Sequence, residues 1–305
     1  LTVASVSEIF TVLLTYILSI LLIILLVNVI FPVITNSIIE LISNFQGYWN
    51  SAINRLNSLP EDSFLKSKVV SDIVKSVGNG IQNVDLKQYL DPNKITAYVK
   101  SVLGVATGIF DVFVTIVVSV YILLQRGAIV KFFEKLGLAI FDENACTQIG
   151  KYVDSSNRVF FKFISGQLID AIIVGILVTI AMSILGVKYA ALLGFMIGLF
   201  NIIPYFGAII AVVISVIITI ITGGLSQAII MAVVVILLQQ IDSNIINPKI
   251  IGNSLEISPL LVIFAVTVGG AYFGVLGMFL AVPVIAVLKI IVNDYLDFKI
   301  KKKYI

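Results

Sequence analysis

The chain has 305 residues, 59% of them hydrophobic and only 12% charged, with a mean hydropathy of +1.12. That composition excludes a soluble globular domain and specifies an all-α, polytopic helical membrane protein. Without histidine, with Cys146 as its one cysteine and with a net charge of +3, the chain offers no His-based acid–base chemistry, Ser-His triad, usual zinc site, intrachain disulfide or nucleic-acid footprint.

The first predicted element is Ile9–Phe31, an uncharged run rich in Leu, Ile and Val. No basic segment precedes it and no cleavage site follows, so it is a spanning helix rather than a signal peptide. Pro32 predicts a bend at the membrane surface and closes the first segment, 1–32. From 33 to 100 charges and amides appear. Ile34, Ile38, Leu41, Ile42, Phe45, Trp49, Ile53 and Leu56 recur at helical spacing, which predicts an amphipathic helix ended at Asn57-Ser-Leu-Pro60. A second helix is expected over Glu61–Val77, a turn at Gly78–Gly80, and a third helix opened by Asp91-Pro92 that runs on into the next span. The segment 33–100 therefore predicts a small helical extramembrane subdomain.

The second span, 101–125, carries one charge, Asp111. Residues 126–163 form a polar loop with Arg126, Lys131, Lys135, Lys151, Arg158 and Lys162, and an amphipathic surface helix around Phe132–Phe141. Residues 164–296 form the expected transport unit, and 297–305 a basic tail. Arginine and lysine counts place the 126–163 loop and the tail in the cytoplasm. The long 33–100 segment lies outside.

The transport unit reads as two half-repeats. Ile164–Leu185 spans, with Gln167 and Asp170 inside it. Tyr189–Thr222 is uncharged and would be about 50 Å long as one helix, too long for a hydrocarbon layer about 30 Å thick. It is interrupted at Asn201-Ile-Ile-Pro204-Tyr205-Phe-Gly207. Pro204 lacks an N–H, Gly207 lacks a Cβ that resists a change of direction, and Asn201 can satisfy backbone groups freed by the break. After Gly223-Gly224, Ala228–Ile246 spans again. Pro259–Val287 repeats the design, with its break over Gly269, Gly270 and Gly274 and with Pro283 beyond. Tyr-Phe-Gly occurs in both breaks, at 205–207 and 272–274. Paired interruptions at matching places point to a binding site between repeats. Each broken stretch can cross the membrane or enter and return. The re-entrant arrangement orients the two units oppositely and puts Lys249 inside.

Ionisable groups at membrane depth are costly unless paired or hydrated, which singles out Asp111, Asp170 and Asp242. Asp170 is expected near the start of its span, within reach of water. Asp242 lies in the densest polar set of any apolar segment. With α-helical spacing, Gln240, Ser243, Asn244 and Asn247 share one face and Gln239 and Asp242 sit beside it. No phosphate-binding glycine loop is present, so any transport draws on a gradient.

Gly166-Gln167, Gly186-Val-Lys-Tyr-Ala-Ala-Leu-Leu-Gly194 and Ile203-Pro204-Tyr205-Phe-Gly207 together resemble the AI-2E family of transporters. So do Asp242 with Asn247-Pro248-Lys249-Ile-Ile-Gly252, Ser258-Pro259-Leu, Gly269-Gly270, Gly274-Val-Leu-Gly277 and Ala281-Val-Pro283. The resemblance covers Ser165–Lys289 closely and Ile9–Leu124 in layout. It implies a secondary transporter of a bacterial or archaeal inner membrane, forming homo-oligomeric rings such as pentamers. Some members are associated with export of autoinducer-2 and others with sodium or lithium exchange for protons. Members usually carry further apolar helices before the equivalent of Ile9, and many have histidine where Ser258 stands. The expected protein is a transporter rather than an enzyme or a scaffold, with no cofactor and no metal. Its expected ligands are a small polar solute, or a monovalent cation and a proton.

Overall fold

A computed structural model describes residues 6–58, 60, 109–251 and 257–304. The expected helix over 61–77, the Gly78–Gly80 turn, the Asp91-Pro92 cap, the start of the second span and Gly252 lie outside the described residues, as does the side chain of Asp111. The described residues are helical, without strands. They form α1 (Val6–Ser43), α2 (Phe45–Asn57), α3 (Ile109–Leu124), α4 (Arg126–Ile140), α5 (Glu143–Ile184), α6 (Ala190–Asn201), α7 (Phe206–Gly223) and α8 (Leu225–Ile241). A π-helical turn (Asp242–Ile246), α9 (Asn247–Ile251) and α10 (Pro259–Tyr304) follow. Among the described residues, five helices are long and apolar enough to cross a membrane. Two compact units divide the chain, Leu1–Cys146 and Thr147–Ile305.

In the first unit α1 continues through Pro32 without stopping. Pro32 does not end the helix; within apolar surroundings a helix tolerates the one backbone bond proline removes. The predicted amphipathic helix therefore begins as the end of α1. It is interrupted at Asn44 and resumes as α2, which ends at Asn57 as expected. Leu18, Leu21, Leu22 and Leu25 are exposed along α1, a surface suited to lipid. The Tyr16 hydroxyl and Ser119 Oγ are hydrogen-bonded, tying α1 to α3. The chain bends by 67° between α3 and α4.

In the second unit α5 is 42 residues long. The polar segment before Ile164 is helical from Glu143 onward and continuous with the span. At the far end of α5 the Gln227 amide donates to the carbonyls of Leu185 and Gly186, at 3.2 and 3.0 Å. These are helix-terminal acceptors that have lost their intrahelical donors.

α6 and α7 form the first hairpin. α6 has 12 residues, about 18 Å, well short of the hydrocarbon thickness. It lies against α5 almost backbone to backbone. A Cβ added at Gly198 would sit 2.6 Å from the Ala171 carbonyl oxygen, and one at Gly194 2.8 Å from Thr179 Cα. Small residues four apart permit this approach. Val174, Val178 and Met182 of α5, Leu193 and Ile197 of α6, Ala211 of α7, and Met231 and Val235 of α8 bury one another in the resulting core.

α10 is the second hairpin. At Gly274 the backbone leaves the helical region (φ 62°, ψ −148°), a conformation glycine adopts without a Cβ penalty. The chain reverses there: a Cβ on Gly269 would meet the Ala281 side chain at 2.8 Å, although twelve residues of straight helix would put them about 18 Å apart. Val262 and Val266 of the first arm and Val282 of the second close around Phe163 of α5. The Phe163 and Phe279 rings are 5.6 Å apart.

Three expected features of the breaks are corrected. Gly269, Gly270 and Pro283 lie within helical arms, so the second break is Gly274 alone. The first turn is made at Tyr205 (φ 64°) rather than at Gly207. The repeated Tyr-Phe-Gly therefore does not repeat its conformation, since the left-handed residue is the tyrosine in one copy and the glycine in the other.

Candidate functional site

α6 ends at Asn201 because Pro204 cannot supply an N–H and Tyr205 is turned out of the helix. The Phe206 N–H donates to the Pro204 carbonyl at 2.8 Å, closing a γ-turn around Tyr205 (φ 64°, ψ −58°). This positive-φ form of the turn is strained for a residue with a side chain. The Asn201 carbonyl, deprived of an intrahelical partner, accepts from Gln167 Nε2 of α5 at 2.8 Å. Asn201 thus does not cap its own break; Gln167 does that.

The Asn201 side chain is thereby available to other partners. Its Nδ2 donates to Asp170 Oδ2 of α5 at 2.9 Å and, at a longer 3.4 Å, to Asp242 Oδ2 of the π turn. The two carboxylates adjoin each other, and Asn247 lies alongside Asp170. Asp170 is 0% exposed, Gln167 2%, Asp242 5% and Asn201 7%. The second oxygen of each carboxylate, Asp170 Oδ1 and Asp242 Oδ1, is buried without a hydrogen-bond partner. Among the described residues, no lysine or arginine pairs with either.

The structure thus gathers Gln167, Asp170, Asn201, Asp242 and Asn247 of the expected set at one point. It leaves three others apart. Gln240 and Asn244 are exposed and bond each other: Asn244 Nδ2 donates to the Gln240 carbonyl and Oε1 at 2.7 and 3.3 Å. Two residues of helix already turn Asp242 about 200° away from Gln240. Widening the helix from Asp242 to Ile246 then carries Asn247 off the face that Gln240 and Asn244 still share. Asp242 faces inward, and the amides beside it face out. π-bulges recur at functional sites for this capacity to re-aim a side chain. Tyr205 stands at the hairpin tip, 48% exposed. Asp170 is expected within reach of water, and its side chain is instead fully buried, on a helix that already begins at Glu143.

Two further polar groups are buried without partners, Ser215 Oγ on α7 and Gln239 Nε2 on α8. Ser215 was not anticipated as a candidate. Its only sequence signal is its place in the four-residue spacing Ala211, Ser215, Thr219, all fully buried.

The sequence pattern of the AI-2E family transporters matches residues 2–297. The chain belongs to the AI-2E family. Among its relatives, the transport protein YueF of Bacillus subtilis (strain 168) is 29% identical over 268 residues, covering 85% of this chain and 69% of YueF. YrrI of the same organism is 36% identical over 137 residues, 45% of this chain and 38% of its own length. The AI-2 transport protein TqsA of Escherichia coli (strain K12) is 22% identical over 268 residues, 86% of this chain and 75% of TqsA. As an AI-2E transporter with several apolar helices of spanning length, the protein is a multi-pass membrane protein. Ser258, where the resemblance led one to look for histidine, acts locally: its Oγ accepts from the Leu261 N–H at 3.4 Å at the start of α10, an N-cap role that serine fills well.

Proposed function

We propose that this chain is a gradient-driven secondary transporter that exports a small polar solute across the inner membrane of a bacterium or archaeon. The observation that carries the proposal is the meeting of four buried polar side chains at the broken end of α6. A packed membrane protein without function for them has no need of two unpaired carboxylate oxygens at that depth. Hydroxyl-rich solutes supply the donors these oxygens lack. TqsA is an AI-2 transport protein, which makes autoinducer-2 the first solute to try. Hairpins that enter and return, rather than cross, suit the 12-residue length of α6, and place broken helix ends at the bilayer midplane as in other secondary transporters. Assembly as a homo-oligomer is part of the same proposal.

Purified protein in liposomes, loaded with autoinducer-2 and given an imposed pH gradient with and without sodium, provides the test. Release faster than from empty-membrane controls is expected, and its dependence on the gradient identifies the driving force. Equal release with and without protein under every gradient would end the proposal.

Topology has its own test. Asn57 closes α2 and is expected outside the cell. In a Cys146→Ala background, Asn57→Cys should react with an impermeant maleimide applied to intact cells. Labelling only after lysis reverses the orientation.

A further inference from the structure

We propose that Asp170 and Asp242 form one proton-binding site that holds a single proton between their unpaired oxygens, and that Asn201 passes its loss to the first hairpin. The inference rests on the transport reading above and names the coupling ion of that same site. Asp170 Oδ1 and Asp242 Oδ1 are both buried and both without a donor, on residues 0% and 5% exposed. A buried acceptor without a donor is costly, and two adjoining carboxylates that share a site do not both hold their charge cheaply. One proton removes both problems: it sits on one oxygen and is donated to the other.

The groups that face this point are few. α5 contributes Asp170 and the neutral Gln167. α6 contributes Asn201, the π turn Asp242, and α9 Asn247. No cation among the described residues pairs with the carboxylates, and a proton can supply the compensating charge. The proton arrives from water on one side of the membrane and leaves to water on the other, and no other atom is transferred.

Asn201 couples this site to the hairpin. Its amide reaches both carboxylates, and it is the last residue of α6, four positions before the strained Tyr205 turn. When the proton leaves, the two charges separate and the 3.4 Å bond to Asp242 is the weaker of the two. The end of α6 then follows Asp170 alone, and the Tyr205 turn is where the backbone yields.

Infrared difference spectroscopy on the full chain in liposomes, titrated with acid and base, reads the bound proton directly as the carbonyl stretch of a buried carboxylic acid. Wild type is expected to show one titrating band. Asp170→Asn and Asp242→Asn should each move its midpoint, and the double variant should lose it. Asn201→Ala should move it as well, although alanine titrates nothing. Transport driven by the pH gradient should fall to the level of empty liposomes in the double variant. Asp170→Glu and Asp242→Glu, which keep an acid in place, guard against a variant that does not fold, and should retain a displaced band. A band that survives the double variant, or a midpoint unmoved in both single variants, overturns the inference. Solute release that ignores the pH gradient in wild type also overturns it while leaving the transport proposal standing. A normal proton band with no solute release does the opposite.

Discussion

Asn201→Ala is expected to abolish transport and to lower stability together. In the native chain one amide serves two buried carboxylates. Alanine leaves Asp170 Oδ2 and Asp242 Oδ2 without that donor, beside two oxygens already unpaired. A buried acceptor left without its donor costs about 1–3 kcal/mol, and more when charged. The backbone bond from Gln167 to the Asn201 carbonyl survives, since alanine keeps that carbonyl. Gln167→Leu removes only that bond and should cost less, about 1 kcal/mol. Asn201→Asp keeps the shape but sets a third carboxylate against the pair, so at neutral pH it should be less stable than Asn201→Ala. The checks are the midpoint of thermal unfolding in detergent and the initial release rate per amount of assembled protein. Wild-type values for both in Asn201→Ala would remove Asn201 from the centre of the site.

Gly207→Ala should be among the most damaging single-methyl changes in the chain. In most helical positions the same change stabilises, because alanine holds the helical backbone at less entropic cost by about 1 kcal/mol. Gly150, in the long α5 helix, has nothing within 4 Å of an added Cβ, and Gly150→Ala is expected to raise the unfolding midpoint slightly. At Gly207 the sign inverts. The added carbon would lie 1.6 Å from the Phe200 carbonyl oxygen and 2.5 Å from its carbonyl carbon. Both are backbone atoms, so no side chain can turn away. The arms of the first hairpin must part, at a cost of about 3 kcal/mol or more by comparison with overpacked cores. Phe200 precedes Asn201, so the displacement reaches the carboxylates and transport falls with stability. Thermal unfolding of the two alanine variants side by side decides the matter; equal midpoints for Gly207→Ala and wild type would rule out the close approach.

The spans, and the neighbourhoods of their breaks, were legible in the sequence. Uncharged runs are a direct statement about solvent, and Pro204 and Gly274 act on their own backbone whatever surrounds them. Asp170 and Asp242 were equally visible, because a charge within an apolar run needs no fold to stand out. The sequence also singled out Asn201 at a break and Gln167 inside a span.

The tertiary structure decided which of these groups meet. Gln167, Asp170, Asn201 and Asp242 lie on three separate elements, and no local pattern states that Asn201 serves two carboxylates rather than its own broken helix. The face drawn over Gln240, Asn244 and Asn247 assumed a constant 3.6-residue period. The π turn at Asp242–Ile246 shifted that register, and its own residues carry no strong local signal for it. Likewise charge alone did not show that 143–163 is helical and continuous with the span, because lysines mark contact with water and not the end of a helix. Periodicity and solvent preference are properties of short stretches, so the sequence by itself determined them. Which buried donor finds which buried acceptor depends on the packing of α5, α6 and the π turn together, and only the folded chain decides it.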